Sequence, residues 1–138
     1  MKFDRRIFTN LILFVLLIVL IAMFTMCQSS TAVQIAFADQ VFAVSSADYG
    51  MNIDYAEIAA VELVEDPDLG AAAGGKNKPE LKSGIWENSD WGTYQLVFNP
   101  SAANCIVVHT KSGEIYVFNR NTDQETVEAY EELLTHIQ

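Results

Sequence analysis

The sequence predicts an α+β protein, mainly β. The expected fold is a partly open antiparallel β-barrel or curled sheet, capped by a C-terminal α-helix and preceded by one N-terminal transmembrane helix. Three observations carry this expectation. Ile7 to Met26, "IFTNLILFVLLIVLIAMFTM", runs 20 residues without a charge. Short alternating segments then follow one another, punctuated by Gly, Pro, Asn and Asp. Finally "TDQETVEAYEELL", Thr122 to Leu134, joins a capping signal to an apolar stripe at three- and four-residue spacing.

At about 1.5 Å per residue, the apolar run reaches roughly 30 Å, the thickness of a bilayer's hydrocarbon core. Lys2, Arg5 and Arg6 precede it, and the next basic residue is Lys76. The positive-inside rule then predicts a single-pass protein of the cell membrane, with a cytoplasmic N-terminus and an extracytoplasmic C-terminal domain. Residues 1–27 form the N-terminus and spanning helix, 28–39 a linker, and 40–138 the domain. Two other fates of the N-terminal segment stay open. "AFA", Ala36 to Ala38, resembles a signal-peptidase site, but it lies far beyond an apolar run that is itself longer than a signal core. Cys27 could mark a lipoprotein signal, but Phe24-Thr25-Met26 lacks the small residue expected before a lipidated cysteine. The uncleaved anchor is the reading adopted, and all three place the domain on the same side of the membrane.

From Cys27 onward the chain holds 5 basic and 17 acidic residues, a net of −12 with histidine neutral. Such a domain repels phosphate backbones and anionic headgroups, which argues against nucleic acid as a partner and against flat docking on an anionic leaflet. Cys27 and Cys105 have neither CxxC nor zinc-ligand spacing, and Cys105 reads as a small buried hydrophobe.

The elements of the domain follow in order. Val41, Ala43 and Ser45 share one face of a strand and Phe42 and Val44 the other; Asp48-Tyr49-Gly50 turns the chain into a return strand at Met51-Asn52-Ile53. "IAAVELVED", Ile58 to Asp66, reads as a strand from its alternation and β-branched content. The stretch from Asp66 to Asp90 holds two of the 3 prolines and four of the 7 glycines, and is expected as a long loop or irregular hairpin. Strand pattern returns in "WGTYQLVFNP", with Tyr94, Leu96 and Phe98 on one face, then in "NCIVVHT" and "EIYVFN". Lys111-Ser112-Gly113-Glu114 joins the last two through a tight two-residue turn, so three adjacent antiparallel strands are expected. Thr122 and Glu125 form a capping box, Asp123 and Glu125 suit the positive helix end, and Val127, Tyr130, Leu133, Leu134 and Ile137 make the stripe.

"IDYAEIAAVELVED", "WGTYQLVF", "IVVHTKSGEIYVFN" and "TDQETVEAYEELL" together resemble the bacterial pleckstrin-homology-like (bacterial PH) domain family over about residues 40–138. The resemblance implies two nearly orthogonal antiparallel sheets in a partly open barrel closed by a helix, often beside membrane helices. It implies no catalytic residue. The Gly70–Asp90 region departs from the pattern, having lysines and no arginine.

Candidate sites concentrate in that region. Lys76, Lys78 and Lys82 lie beside Gly74-Gly75 and could cradle an anion with backbone N–H groups; a solvated loop is the plainer reading. Trp86 and Trp91 could anchor a partner or pack under a strand end. Glu65, Asp66 and Asp68 offer a fragment of a calcium loop, restricted by Pro67. Cys105 and His109 share a strand face about 13 Å apart, too far for a thiol–imidazole pair. No nucleophile elbow, phosphate loop, HExxH or paired-carboxylate motif is present. The domain lacks the dense basic pocket that phosphoinositide binding needs. The expectation is a non-enzymatic, membrane-tethered interaction or scaffolding module, with no cofactor, whose partner is a protein or a second copy. The alternative is a small-ligand, anion or metal-ion binding domain using the 66–90 loop.

Overall fold

The computed structural model describes residues 5–27 and 32–138, residues 24–27 as backbone only. Helix α1, Arg5–Cys27, has no acid in its first turn and no base in its last. Its stretch Arg5–Met23 has a mean hydropathy of 2.6 and is nowhere buried. Length and composition suffice for a membrane crossing, and a signal sequence near an N-terminus has the same character.

The first sheet is an antiparallel meander of β1 (Gln34–Phe37), β2 (Val41–Ser45) and β3 (Gly50–Asp54). Alternation buries Phe42 and Val44 on β2 and Met51 and Ile53 on β3. Strand β1 corrects the expected linker at 28–39. Ile35 and Phe37 pack against the core and Val33 is fully buried, so these residues gain more as a paired strand than as solvated chain. Residues 28–31 of that segment lie outside the described residues.

A 3-10 turn, Tyr55–Glu57, leads into the second sheet; Asp54 caps it by accepting from the Ala56 N–H at 3.0 Å. The strands are β4 (Ile58–Glu65), β5 (Ala71–Ala72), β6 (Lys76–Asn77), β7 (Lys82–Asn88), β8 (Gly92–Phe98), β9 (Asn104–Thr110) and β10 (Ile115–Phe118). They run in the order β4-β9-β10-β8-β7-β5, with β6 also on β7, and the sheet does not close. Helix α2, Asp123–Ile137, ends the chain.

Two expectations need correction. The three strands of residues 91–121 are not consecutive antiparallel neighbours. Strand β10 lies between β8 and β9, antiparallel to β9 and parallel to β8, with Val117 opposite Leu96. The link from Phe98 to Asn104 is long enough to pass over one strand, and β4 takes the outer edge of β9. Central placement buries Val117 and Phe118 on opposite faces. The turn after β9 is also one residue longer than expected: the Thr110 N–H donates to the Glu114 carbonyl, and Gly113 takes φ +93°.

The 66–90 stretch is the irregular hairpin of the two forms expected. β5 and β6 are one edge strand broken by a bulge. Ala71 faces Glu87 and Lys76 faces Ser83, which leaves one residue extra; the N–H groups of Ala73 and Gly74 both donate to the Ile85 carbonyl. Gly75 then approaches Gly84, which sits at φ +90°. A Cβ on Gly84 would lie 2.6 Å from the Gly75 Cα, and one on Gly75 would lie 2.1 Å from the Ser83 carbonyl oxygen.

The second sheet is buried on both faces. On β9, Ile106 and Val108 join Phe42, Ile53, Phe118 and Leu133 in a core shared with the first sheet and α2. Cys105 and Val107 face the other way, with Trp86, Tyr94, Leu96 and Phe98. This double burial is why β9 reads as an unbroken apolar run. On α2 the buried line is Thr126, Ala129 and Leu133, flanked by Tyr130 and Ile137. Val127, expected within the stripe, stands beside that line and only half-buried.

Candidate functional site

The turn between β2 and β3 meets the bulged edge strand. Asp48, at its tip, accepts from Lys76 Nζ at 3.2 Å and Lys78 Nζ at 2.9 Å, one carboxylate oxygen each. Lys78, then Lys76, hold the Asp48 carboxyl below its ordinary range, and Asp48 holds the Lys78 ammonium above its own. One residue on, Tyr49 Oη donates to Gln95 Oε1 at 2.7 Å. Two of the three lysines that could have cradled an anion thus hold a carboxylate of their own chain and pin the first sheet to the second.

The other candidates do not join them. Lys82 Nζ lies 5.6 Å from the centroid of the Trp86 ring. Trp86 is itself a core residue, 1% exposed, with its indole N–H donating to the Ser83 carbonyl. Trp91 sits in the β7–β8 turn, where its N–H donates to Asn88 Oδ1, and its ring meets Tyr94 edge-on.

Asp66, Asp68 and Asp123 line an open cleft of about 560 Å³ with Lys82 and Ser101. Two of its three carboxylates already serve the backbone: Asp68 accepts from the Gly70 N–H, and Asp123 accepts from those of Ala103 and Asn104. Among the described residues, no group of three or more His, Cys, Asp or Glu side chains is placed to hold a metal. Cys105 is fully buried and burial pushes its thiol up to about 12, so it stays protonated and poorly nucleophilic. His109 faces Glu62 at 3.4 Å.

Two arrangements carried no signal in the sequence. His136 stacks on Phe37 and on Tyr55, with ring centroids 5.2 and 4.9 Å away, tying the end of α2 to β1 and the 3-10 turn. Asn99, Asn119 and Asn121 link three chain segments through side-chain amides.

Outside α1, Val41 is the single large exposed hydrophobic among the described residues. The surface features that remain are charge and strand edges. The bulged β5/β6 edge is irregular and carries lysine, whereas β4 is eight residues long, lacks Pro, Gly and Lys, and pairs on one side alone. Comparison with family models, curated proteins and solved structures finds no match to this chain.

Proposed function

We propose that this chain is a membrane-tethered interaction module without catalytic activity. The observation that carries the reading is α1: an apolar helix, exposed from Arg5 to Met23, on the same chain as a β domain whose own apolar side chains are spent in two cores. The helix would hold the domain at a membrane, and the basic N-terminal flank favours an extracytoplasmic domain. The helix packed across one sheet supports the pleckstrin-homology-like kinship, while the parallel β8–β10 pair departs from that family's antiparallel barrel. The reading therefore rests on α1 and the free strand edge rather than on kinship. The engagement of Lys76 and Lys78 by Asp48 leaves the anion-binding alternative without a favouring observation.

The test is photo-crosslinking of the full chain in its membrane, with the probe placed in turn at Ala60 on β4, Asp90 in the β7–β8 turn and Glu128 on α2. The expected result is a discrete adduct from at least one position. Absence of adducts from all three would overturn the module reading. A cysteine at Asp90 labelled by an impermeant maleimide on intact cells would support the orientation, and labelling only after lysis would reverse it.

A further inference from the structure

We infer that the outer edge of β4 takes up an extended basic segment of a protein partner as an added strand. The inference rests on the module reading and names the surface and the partner's chemistry. Its first support is backbone accounting. β4 pairs with β9 from Ile58 to Glu65 and ends the sheet, so its other row of N–H and C=O groups faces outward. Proteins blunt such edges with Pro, Lys, bulges or brevity. The opposite edge of this sheet shows lysine, a bulge and brevity, whereas β4, bulged between Ile58 and Ala60 and bearing two exposed glutamates, keeps unbroken register with β9 from Ala60 to Glu65. Ala59 and Ala60 are exposed and small, leaving room beside the backbone.

Charge selects the occupant. Glu62 and Glu65 are exposed on β4, with Glu62 on the face opposite Val61 and Leu63, where its carboxylate also lies 3.4 Å from His109 of β9. Side chains of neighbouring strands meet on the same face at paired positions. A second copy would bring glutamates towards glutamates, in a domain already at −12, and like charges across a pair are destabilising. A strand alternating basic and apolar residues would place cations beside Glu62 and extend the apolar layer of Val61 and Leu63. The edge thus disfavours self-assembly while accepting a cationic strand.

The test uses the full chain in detergent micelles and three synthetic octapeptides. One alternates lysine and valine, one alternates glutamate and valine, and one is the lysine peptide N-methylated at alternate amides. Hydrogen–deuterium exchange reports where each acts. The lysine peptide should slow exchange within residues 58–65. The N-methylated form, with the same charge but blocked pairing, should bind about tenfold or more weakly, because several backbone hydrogen bonds are lost. The glutamate peptide should have no effect on wild type and should gain binding with Glu62→Lys. Equal affinity of the methylated and unmethylated peptides, or protection only on α2, would show electrostatic adsorption and overturn the inference. If crosslinking traps a partner while residues 58–65 exchange unchanged with the lysine peptide, the edge assignment falls and the module reading stands.

Discussion

Asn119 and Asn99 are joined by two hydrogen bonds that run through one side chain: the Asn119 amide donates to the Asn99 carbonyl at 2.8 Å, and its oxygen accepts from the Asn99 N–H at 2.7 Å. A side-chain amide carries the same donor and acceptor as a peptide group. It therefore continues the parallel β8–β10 ladder one step beyond Phe98 and Phe118, where the two backbones diverge. Asn121 takes up the chain of contacts, accepting from Asn99 Nδ2 at 3.0 Å and from the Val33 N–H at 2.9 Å. The lead-in to β1, the β8–β9 link and the approach to α2 are held at one point.

Asn119→Ala should consequently cost about 2–4 kcal/mol, since it strands a buried N–H and a buried C=O at once. Asn99→Ala keeps both of those backbone groups paired with Asn119 and should cost about half as much. The measurement is the urea midpoint, with the slope unchanged. The reverse order of the two variants would mean that the Asn119 amide does not complete the ladder.

The Asp48 clamp predicts an acid-sensitive dock between the sheets. The folded-state carboxyl lies below its ordinary value, so its contribution is present above the unfolded value and is lost as pH falls through the folded one. Lys78 is raised, so its contribution is full below its ordinary value and is lost only in strong alkali. Wild type should exceed Asp48→Asn in urea midpoint at pH 6, and the two curves should converge as pH drops below about 4. Added salt near ~1 M should narrow the gap at pH 6, because the pair is close to solvent. Parallel curves at every pH would show that the ion pairs contribute nothing.

Gly84 and Gly92 separate two costs that are usually mixed. Both have positive φ, at +90° and +70°, but an added Cβ meets the Gly75 backbone at the first and nothing within 4 Å at the second. Gly92→Ala should cost about 1–2 kcal/mol, the backbone strain alone. Gly84→Ala should cost distinctly more, about 3 kcal/mol or above, because the edge strand must move as well. Thermal midpoints of the two variants make the comparison, and equal losses would mean that the Gly75–Gly84 approach is slack.

The legible parts of this fold were those whose causes are local. The apolar run of α1, the alternation of β2 and β8, and the hydroxyl of Thr122 accepting from the Glu125 N–H at 3.1 Å all sit within a few residues of their signals. Strand β7 was hidden because Lys82-Ser83-Gly84 looks like loop, and its glycine is explained only by Gly75 across the bulge. The parallel β8–β10 pair is prolonged by Asn99 and Asn119, 20 residues apart, and adjacency of successive strands is only a default. In the candidate site, the lysines were visible but their partner was not: Asp48 lies 28 residues before Lys76, in a turn with no binding motif. The alternation Val33, Ile35, Phe37 was present in the sequence, but uncharged small residues after an apolar helix look like a tether.

The buried lead-in to β1 bears directly on how the domain can be released from its anchor. A cut after Ala38 would remove Val33, which is fully buried, along with Ile35 and Phe37 and every backbone bond that β1 makes to β2. It would also leave Asn121 without the Val33 N–H and His136 without the Phe37 ring. Burying side chains of this size is worth about 1.5–3 kcal/mol each when complete, so the combined loss should reach several kcal/mol, a large part of a small domain's stability. A chain starting at residue 32 should therefore show a cooperative urea transition, and one starting at residue 39 should be largely unfolded or melt far lower. Hydrogen exchange on the longer chain should find β2 among its well-protected strands, and on the shorter chain find β2 open. Equal transitions for the two would mean that β1 adds nothing to the first sheet, and would restore a cut after Ala38 as a route to a free, folded domain.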